Sequence, residues 1–134
     1  MKILTREVDG KLVPSETADL FADYFAEIMV DEYQDSNLVQ EAILDSISKS
    51  RKGRDNRFMV GDVKQSIYRF RQAEPGLFLE KYARYGTEDG GVRVDLHQNF
   101  RSRKEVLDLV NVIFERIMRK EVGGIEYDEE AALK

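Results

Sequence analysis

Several residue types that build common functional sites are missing or scarce in this sequence of 134 residues. It contains no cysteine, no tryptophan, one histidine and two prolines. The lack of cysteine excludes disulfide scaffolds, thiolate zinc sites and cysteine nucleophiles, and it favours a reducing, cytoplasmic compartment. The single histidine, His97, has no metal-ligand spacing around it, and we interpret it as structural. No apolar run approaches the roughly 20 residues of a membrane-spanning helix, so no membrane partner is expected.

The charges are distributed unevenly along the chain. Residues 1–48 carry 3 basic and 11 acidic side chains, residues 49–104 carry 14 and 7, and residues 105–134 carry 4 and 8. A basic middle between acidic flanks can bind a polyanion locally, even though the net charge is -5. A solvated surface of uneven charge is the alternative at this point.

Hydrophobic periodicity predicts helices that alternate with short strands. We expect a turn at Asp9-Gly10 and helices over residues 16–26, 37–49, 75–85 and 103–118, the third of them opened by Pro75. Strands are expected over residues 27–30, 57–60 and 92–96, the first of them buried. This order predicts an α/β domain with a mainly parallel sheet flanked by helices. Three strands are few for a sheet covered on both faces, which indicates a segment of a larger fold.

The first candidate site follows the predicted strand 27–30, where the apolar residues stop at Asp31 and Glu32. Ligands of open parallel sheets bind outside the carboxyl ends of the strands. Two adjacent carboxylates there could hold Mg²⁺ through water and activate a second water, as nucleotide hydrolysis requires. A solvated strand end or a helix cap is the alternative, and the following Gln34-Asp35 makes the pattern more specific.

The second candidate site follows the next strand, at residues 61–71. Gln65 is an uncharged donor and acceptor, suited to sensing a terminal phosphate. Tyr68 and Phe70 alternate with Arg69 and Arg71, so that aromatic faces for bases lie beside charges for phosphates. The alternative is that the aromatic residues belong to the core and the arginines are solvated.

The third candidate site lies at residues 98–102, before the last predicted helix. Arg101 could reach a γ-phosphate as an arginine finger, and Phe100 could stack on adenine. Each residue alone is equally compatible with an ordinary exposed position at the start of a helix.

Together the three segments resemble the motifs of superfamily 1 helicases of the UvrD/Rep/PcrA kind. The sequence DEYQD at residues 31–35 matches a DExQD box, GDVKQSIYRFR at 61–71 is similar to GDxxQSIYxFR, and QNFRS at 98–102 is similar to QNYRS. Longer strings around these motifs resemble the AddA family, the helicase subunits of bacterial helicase–nucleases. The resemblance implies an ATP-dependent motor on single-stranded or duplex DNA in double-strand-break repair. It also implies a heterodimer in which the partner is an AddB-type nuclease subunit.

The resemblance further implies roles for individual residues, with ATP and Mg²⁺ as cofactors. Asp31 would coordinate Mg²⁺ through water, and Glu32 would be the general base. Gln65 and Arg101 would contact the γ-phosphate, and Phe100 would stack on adenine. Coupling between the nucleotide and DNA sites would depend on Gln34, Asp35 and Asp62. Contact with single-stranded DNA would be made by Tyr68, Phe70 and Arg71.

The sequence departs from the family pattern in one decisive respect. A phosphate-binding loop needs G-x-x-x-x-G-K-[ST], but the only Gly-Lys pair, Gly10-Lys11, is followed by leucine. We therefore expect part of a RecA-like (P-loop NTPase) domain: residues 1–98 as the C-terminal half of the first such domain, and residues 99–134, a helix and an acidic tail, as the start of the second. This segment alone is predicted to lack ATPase activity.

Two other functions remain open from the sequence. One is a UvrD-like repair helicase of the same superfamily, and the other is a non-catalytic nucleic-acid-binding or interaction module. The missing phosphate-binding loop and the acidic ends favour the second of these.

Overall fold

The computed structural model describes residues 3–66, 72–87, 91–119, 127–129 and 131–134. The chain forms two compact units, Met1–Arg93 and Val94–Lys134. Within the described ranges no helix is both long and apolar enough to cross a lipid bilayer.

The first unit opens with a β-hairpin that the sequence did not predict beyond its turn. Strands β1 (Thr5–Val8) and β2 (Lys11–Pro14) pair antiparallel, and the predicted turn at Asp9 and Gly10 connects them. Both turn residues have positive φ, 52° and 74°, which is the combination that a tight two-residue hairpin loop requires. Ser15 then caps helix α1 (Glu16–Tyr24), because its hydroxyl accepts a hydrogen bond from the backbone N–H of Ala18.

The middle of the first unit contains a pair of parallel strands connected by a helix. Strand β3 (Ile28–Val30) pairs in parallel with β4 (Arg57–Met59), and helix α2 (Leu38–Ile47) lies between them in sequence. Asn37 and Gln40 begin α2 with a reciprocal capping box. The central residue of each strand points to an open face, since Met29 is 70% and Phe58 is 61% exposed. These strands are therefore covered on one face only, whereas the sequence predicted strand 27–30 to be buried.

Among the described residues, three short 3-10 turns follow the strands and α2, namely Tyr33–Asp35, Ser50–Lys52 and Val63–Gln65. Helix α3 (Pro75–Arg84) begins with proline in its first turn, as predicted. Its Phe78 packs against the buried ring of Tyr33, with ring centroids 6.4 Å apart. Helix α3 is thereby held against the first of the three turns.

Helix α4 (Lys104–Ile117) is the main element of the second unit. Leu107 is buried, and the rings of Phe114 and Tyr127 pack edge to face with their centroids 5.4 Å apart. The side chain of Asn111 accepts hydrogen bonds from the Tyr127 hydroxyl and the Leu133 backbone N–H, and it donates to the Leu133 carbonyl. The described residues of the acidic tail are thus fastened to α4.

Of two expectations about the sheet, one is not confirmed and the other is wrong. The described residues form a mixed α/β structure with one antiparallel hairpin and one parallel pair, so a mainly parallel sheet is not confirmed. Residues 92–96 form no strand, and both Val92 and Leu96 are 87% exposed. Alternating residues favour a strand only where a neighbouring strand completes the hydrogen-bond ladder, and within the described ranges this segment has none.

Candidate active site

The parallel pairing of β3 and β4 brings two of the predicted motifs to one edge. Asp31 and Glu32 follow β3, and Gly61 and Asp62 follow β4. Backbone hydrogen bonds continue past both strands, since Val60 N–H donates to the Val30 carbonyl and Tyr33 N–H donates to the Val60 carbonyl, each at 2.9 Å. The two chain segments therefore stay in register into the candidate site.

A strained backbone turn presents the two carboxylates. Glu32 adopts the left-handed conformation with φ 50° and ψ 41°, which is uncommon for a residue other than glycine. Its N–H donates to Oδ1 of Asp31 at 2.9 Å. Both residues are exposed, so their carboxylates can meet a ligand from solvent.

Gln34 connects the two motifs. Its side chain is buried, with 1% exposure, and both ends of the amide are bonded. Nε2 donates to Oε2 of Glu32 at 2.7 Å, and Oε1 accepts from the backbone N–H of Asp62 at 2.9 Å. The amide therefore fixes the distance between the Glu32 carboxylate and the second motif.

The second motif continues this chain of hydrogen bonds to Gln65. Oδ1 of Asp62 accepts from the backbone N–H of Lys64 at 3.0 Å and lies 3.1 Å from Lys64 Nζ. Oδ2 of Asp62 accepts from Gln65 Nε2 at 3.1 Å. Four predicted site residues, Glu32, Gln34, Asp62 and Gln65, are thus linked in sequence by direct hydrogen bonds.

Of the other predicted residues, Asp31 is bonded to the first of these four, because its Oδ1 accepts from the Glu32 N–H. Oδ1 of Asp35 is buried and has no hydrogen-bond partner among the described residues. Phe100, in the second unit, is 91% exposed, and Arg101 is exposed. The predicted DNA contacts fall outside the described residues: Tyr68, Phe70 and Arg71.

A largely buried ionic cluster that was not predicted from the sequence supports the turn Tyr33–Asp35. The hydroxyl of Tyr33 donates to Oε2 of Glu41 at 2.5 Å, and Lys81 Nζ lies 2.6 Å from Oε1 of Glu41. Arg57 Nη1 lies 3.3 Å from Oε1 of Glu41 and 2.6 Å from Oδ1 of Asp45. We call these five residues the Glu41 cluster. One feature of the sequence did point to this cluster: Glu41 and Asp45 lie four residues apart on one helix. Two like charges at that spacing repel each other, so a cation is expected nearby.

The pKa values within the Glu41 cluster follow from burial and charge. Burial acts to raise the pKa of Glu41, but the bonds from Lys81 and Tyr33 outweigh it, and the pKa lies below its usual range. Burial and the adjacent Glu41 carboxylate raise the pKa of Tyr33 well above its ordinary value. Burial lowers the pKa of Arg57, but Asp45 and Glu41 outweigh it and raise the pKa overall. Glu41 and Arg57 are therefore ionised at neutral pH, and Tyr33 is neutral.

Part of the basic middle of the chain is compensated within the first unit. Arg51 Nη2 lies 3.1 Å from Oδ1 of Asp19, and Lys52 Nζ lies 2.5 Å from Oδ1 of Asp23. Lys52 holds the pKa of Asp23 below its usual value. These two cations face helix α1 and contribute less to a polyanion surface than the sequence suggested.

Comparison with known proteins gives a consistent family assignment. A family model described as the UvrD/REP helicase N-terminal domain matches residues 3–86. The chain is 59% identical over 134 residues to a protein of Lachnoclostridium phytofermentans that is named as one subunit of an ATP-dependent helicase/nuclease. That match covers 99% of the chain and 10% of the relative.

Two further relatives carry the same name. The chain is 58% identical over 128 residues to the protein of Bacillus cytotoxicus and 54% identical over 138 residues to that of Bacillus velezensis. These matches cover 94% and 100% of the chain and 10% and 11% of the relatives. The chain thus spans about a tenth of the length of the relatives it matches.

Proposed function

The chain belongs to the UvrD/REP helicase family, and from this premise we propose that it is a segment of the AddA-type subunit of an ATP-dependent DNA helicase/nuclease. In the longer protein, ATP hydrolysis would drive movement along single-stranded DNA in double-strand-break repair and recombination. An AddB-type nuclease subunit would complete the heterodimer, and the cytoplasm is its compartment.

The observation that carries this proposal is the Gln34 bridge. A motor must link the group that activates water to the group that senses the terminal phosphate. Here one buried amide bonds both the Glu32 carboxylate and the Asp62 N–H, and Asp62 in turn bonds Gln65. Gln34 and Asp62 are thereby suited to the proposed coupling role, and Asp35 follows Gln34 in the turn Tyr33–Asp35.

The residues at the strand ends fit a Mg²⁺–ATP complex by their donor chemistry. Asp31 and Glu32 offer exposed carboxylate oxygens, which are the hard ligands that Mg²⁺ prefers. The described ranges contain no cluster of three or more potential metal ligands, and phosphate-transfer sites commonly use one or two carboxylates with phosphates and water. When bound, the ion would neutralise charge on the phosphate oxygens.

Each of the chain's site residues has a separate role in the proposed ATP hydrolysis. Glu32 accepts a proton from the attacking water, and Gln34 orients the Glu32 carboxylate by donating to Oε2. Gln65 contacts the γ-phosphate, and Arg101 stabilises the charge that develops on it. Phe100 stacks on adenine, and its exposed ring leaves a face free for that contact. Asp31 would hold Mg²⁺ through water.

The decisive experiment measures ATPase activity of the full-length protein with and without single-stranded DNA. DNA should stimulate turnover, and Glu32→Gln should lower kcat by about 10² to 10⁴, because the general base is lost while nucleotide binding remains. Glu27→Gln is a matched control, since Glu27 is exposed and lies at the opposite end of β3. Turnover that is absent, or indifferent to Glu32→Gln, would instead support a non-catalytic nucleic-acid-binding module.

The isolated segment of 134 residues makes a second test. It contains no G-x-x-x-x-G-K-[ST] loop to hold the phosphates, so we expect no Mg²⁺-dependent ATPase activity from it. Measurable turnover from the purified segment, abolished by Glu32→Gln, would contradict this expectation.

A further inference from the structure

Gly61 lies where no other residue fits, although its backbone does not require glycine. The described glycines with positive φ are Gly10, Gly53, Gly86 and Gly91, and Gly61 is not one of them. A Cβ atom on Gly61 would lie 2.5 Å from Oε1 of Gln34, 2.9 Å from Cε2 of Phe78 and 3.2 Å from the backbone nitrogen of Gln34. These distances are shorter than ordinary van der Waals contact, so the space is filled by the neighbours.

The neighbours are poorly able to retreat. The Gln34 side chain is buried and bonded at both ends of its amide, so moving it breaks a hydrogen bond. The Phe78 ring packs between Tyr33 and Tyr82, with centroids 6.4 and 6.2 Å away. Lys81, on the same helix, is tied to the buried Glu41. Gln34 and Phe78 are therefore both held in position by other contacts.

We propose that Gly61 is a positioning residue of the candidate active site. The missing side chain leaves the space in which the amide of Gln34 connects Glu32 to Asp62. A Cβ at residue 61 displaces that amide, so that the Glu32 carboxylate loses its donor and the Asp62 N–H loses its acceptor. This role rests on the proposed function, because it matters for catalysis only if Glu32 is the general base.

The test is Gly61→Ala in the full-length protein. We expect kcat for DNA-stimulated ATP hydrolysis to fall by about 10- to 100-fold, since displacing a catalytic group by an ångström has effects of that size. KM for ATP should change by less than about two-fold, because the proposed nucleotide contacts are those of Gln65, Phe100 and Arg101. Gly76→Ala is the matched control: its added Cβ meets only the flexible end of Glu74, at 3.0 Å, and turnover should be unchanged.

A double variant separates positioning from a general loss of structure. Gln34→Ala removes the amide, so adding Gly61→Ala should lower kcat no further, because both changes act through the same group. If Gly61→Ala alone does not fold, the double variant should fold and match Gln34→Ala. Hydrogen exchange of the Asp62 amide gives a readout independent of turnover, since that N–H should lose protection in Gly61→Ala and keep it in Gly76→Ala.

Each remaining outcome overturns the proposal. Wild-type kcat in a folded Gly61→Ala variant would show that residue 61 positions nothing. Multiplicative losses in the double variant, or a double variant that does not fold, would show that Gly61 acts through other contacts. A wild-type protein without DNA-stimulated turnover would overturn the proposed function, and this role with it, whereas an active Gly61→Ala variant beside an inactive Glu32→Gln variant would overturn this role alone.

Discussion

Two regions that carry predicted site residues differ in what holds their side chains. In the first unit, Gln34 is 1% exposed and bonded at both ends, and the preceding residue, Tyr33, is bonded to Glu41 of the Glu41 cluster. In the second unit, Asn99 fixes only backbone, since its Oδ1 accepts from the N–H groups of Arg101 and Ser102, and Phe100 is 91% exposed. Substitutions in the first region should therefore change stability, and those in the second should change chemistry with little effect on folding.

Removing the side chain of Arg101 should give the largest effect. Arg101→Ala in the full-length protein is expected to lower kcat by about 10³-fold or more, the size of an arginine-finger contribution. The free energy of unfolding should change by less than about 0.5 kcal/mol, because the side chain is exposed. Arg103→Ala, two residues away and also exposed, is the control for loss of a nearby charge. A comparable fall in kcat for both variants would remove the special role of Arg101.

Glu41→Ala should give the largest loss of stability. It leaves Lys81 and Arg57 without their shared buried carboxylate, and breaking a buried ion pair in this way costs about 3 to 5 kcal/mol. Urea unfolding at neutral pH measures this loss. A fall in the free energy of unfolding below about 1 kcal/mol would show that the Glu41 cluster contributes no more than an ordinary surface ion pair. The two regions would then not differ in what holds their side chains.

The same cluster should make stability depend on pH in a defined direction. The pKa of Glu41 is lower in the folded protein than in the unfolded chain, so its contribution is fully present above the unfolded value of about 4.3. This contribution to stability is lost as the pH falls below the unfolded pKa and through the lower pKa that Glu41 has in the folded protein. The stability difference between the wild type and Glu41→Gln should therefore shrink as the pH is lowered from 7 to about 3. A difference that grows at low pH would contradict the assigned direction.

The elements that the sequence predicted well are those set by local pattern. All four helices lie within about two residues of their expected bounds, because apolar spacing and caps such as Ser15 and Asn37 act within one or two turns. The strands that precede Asp31 and Asp62 are also confirmed, since both end where the apolar residues stop.

What the sequence could not show depends on contacts between distant residues. The segment 92–96 alternates like a strand, but pairing with a neighbour decides whether a strand forms. The Glu41 cluster joins residues up to 48 positions apart, from Tyr33 to Lys81, and no local pattern specifies their meeting. The space at Gly61 likewise appears only when Gln34 and Phe78 are in place.

Tyr33→Phe should have an intermediate effect. It removes only the hydroxyl that donates to Glu41 and keeps the ring that packs on Phe78. A buried hydrogen bond to a charged group contributes about 1.5 to 3 kcal/mol, and Glu41 retains Lys81 and Arg57, so a loss near the lower end is expected. Tyr24→Phe is the control, because Tyr24 is 80% exposed and should show no change in urea unfolding. An unchanged Tyr33→Phe variant would mean that the ring alone supports the turn.

Asp19→Asn should have the smallest effect. Asp19 pairs with Arg51 at 3.1 Å, but the two side chains are 49% and 36% exposed, and water screens the attraction. We expect the free energy of unfolding to fall by less than about 1 kcal/mol, and the difference from wild type to disappear at about 1 M salt. The loss in Glu41→Ala should persist at the same salt concentration, because the Glu41 cluster is buried. Salt therefore separates the two kinds of ion pair, and a salt-resistant loss in Asp19→Asn would show that the turn Ser50–Lys52 is fixed to α1 as firmly as the Glu41 cluster fixes α3.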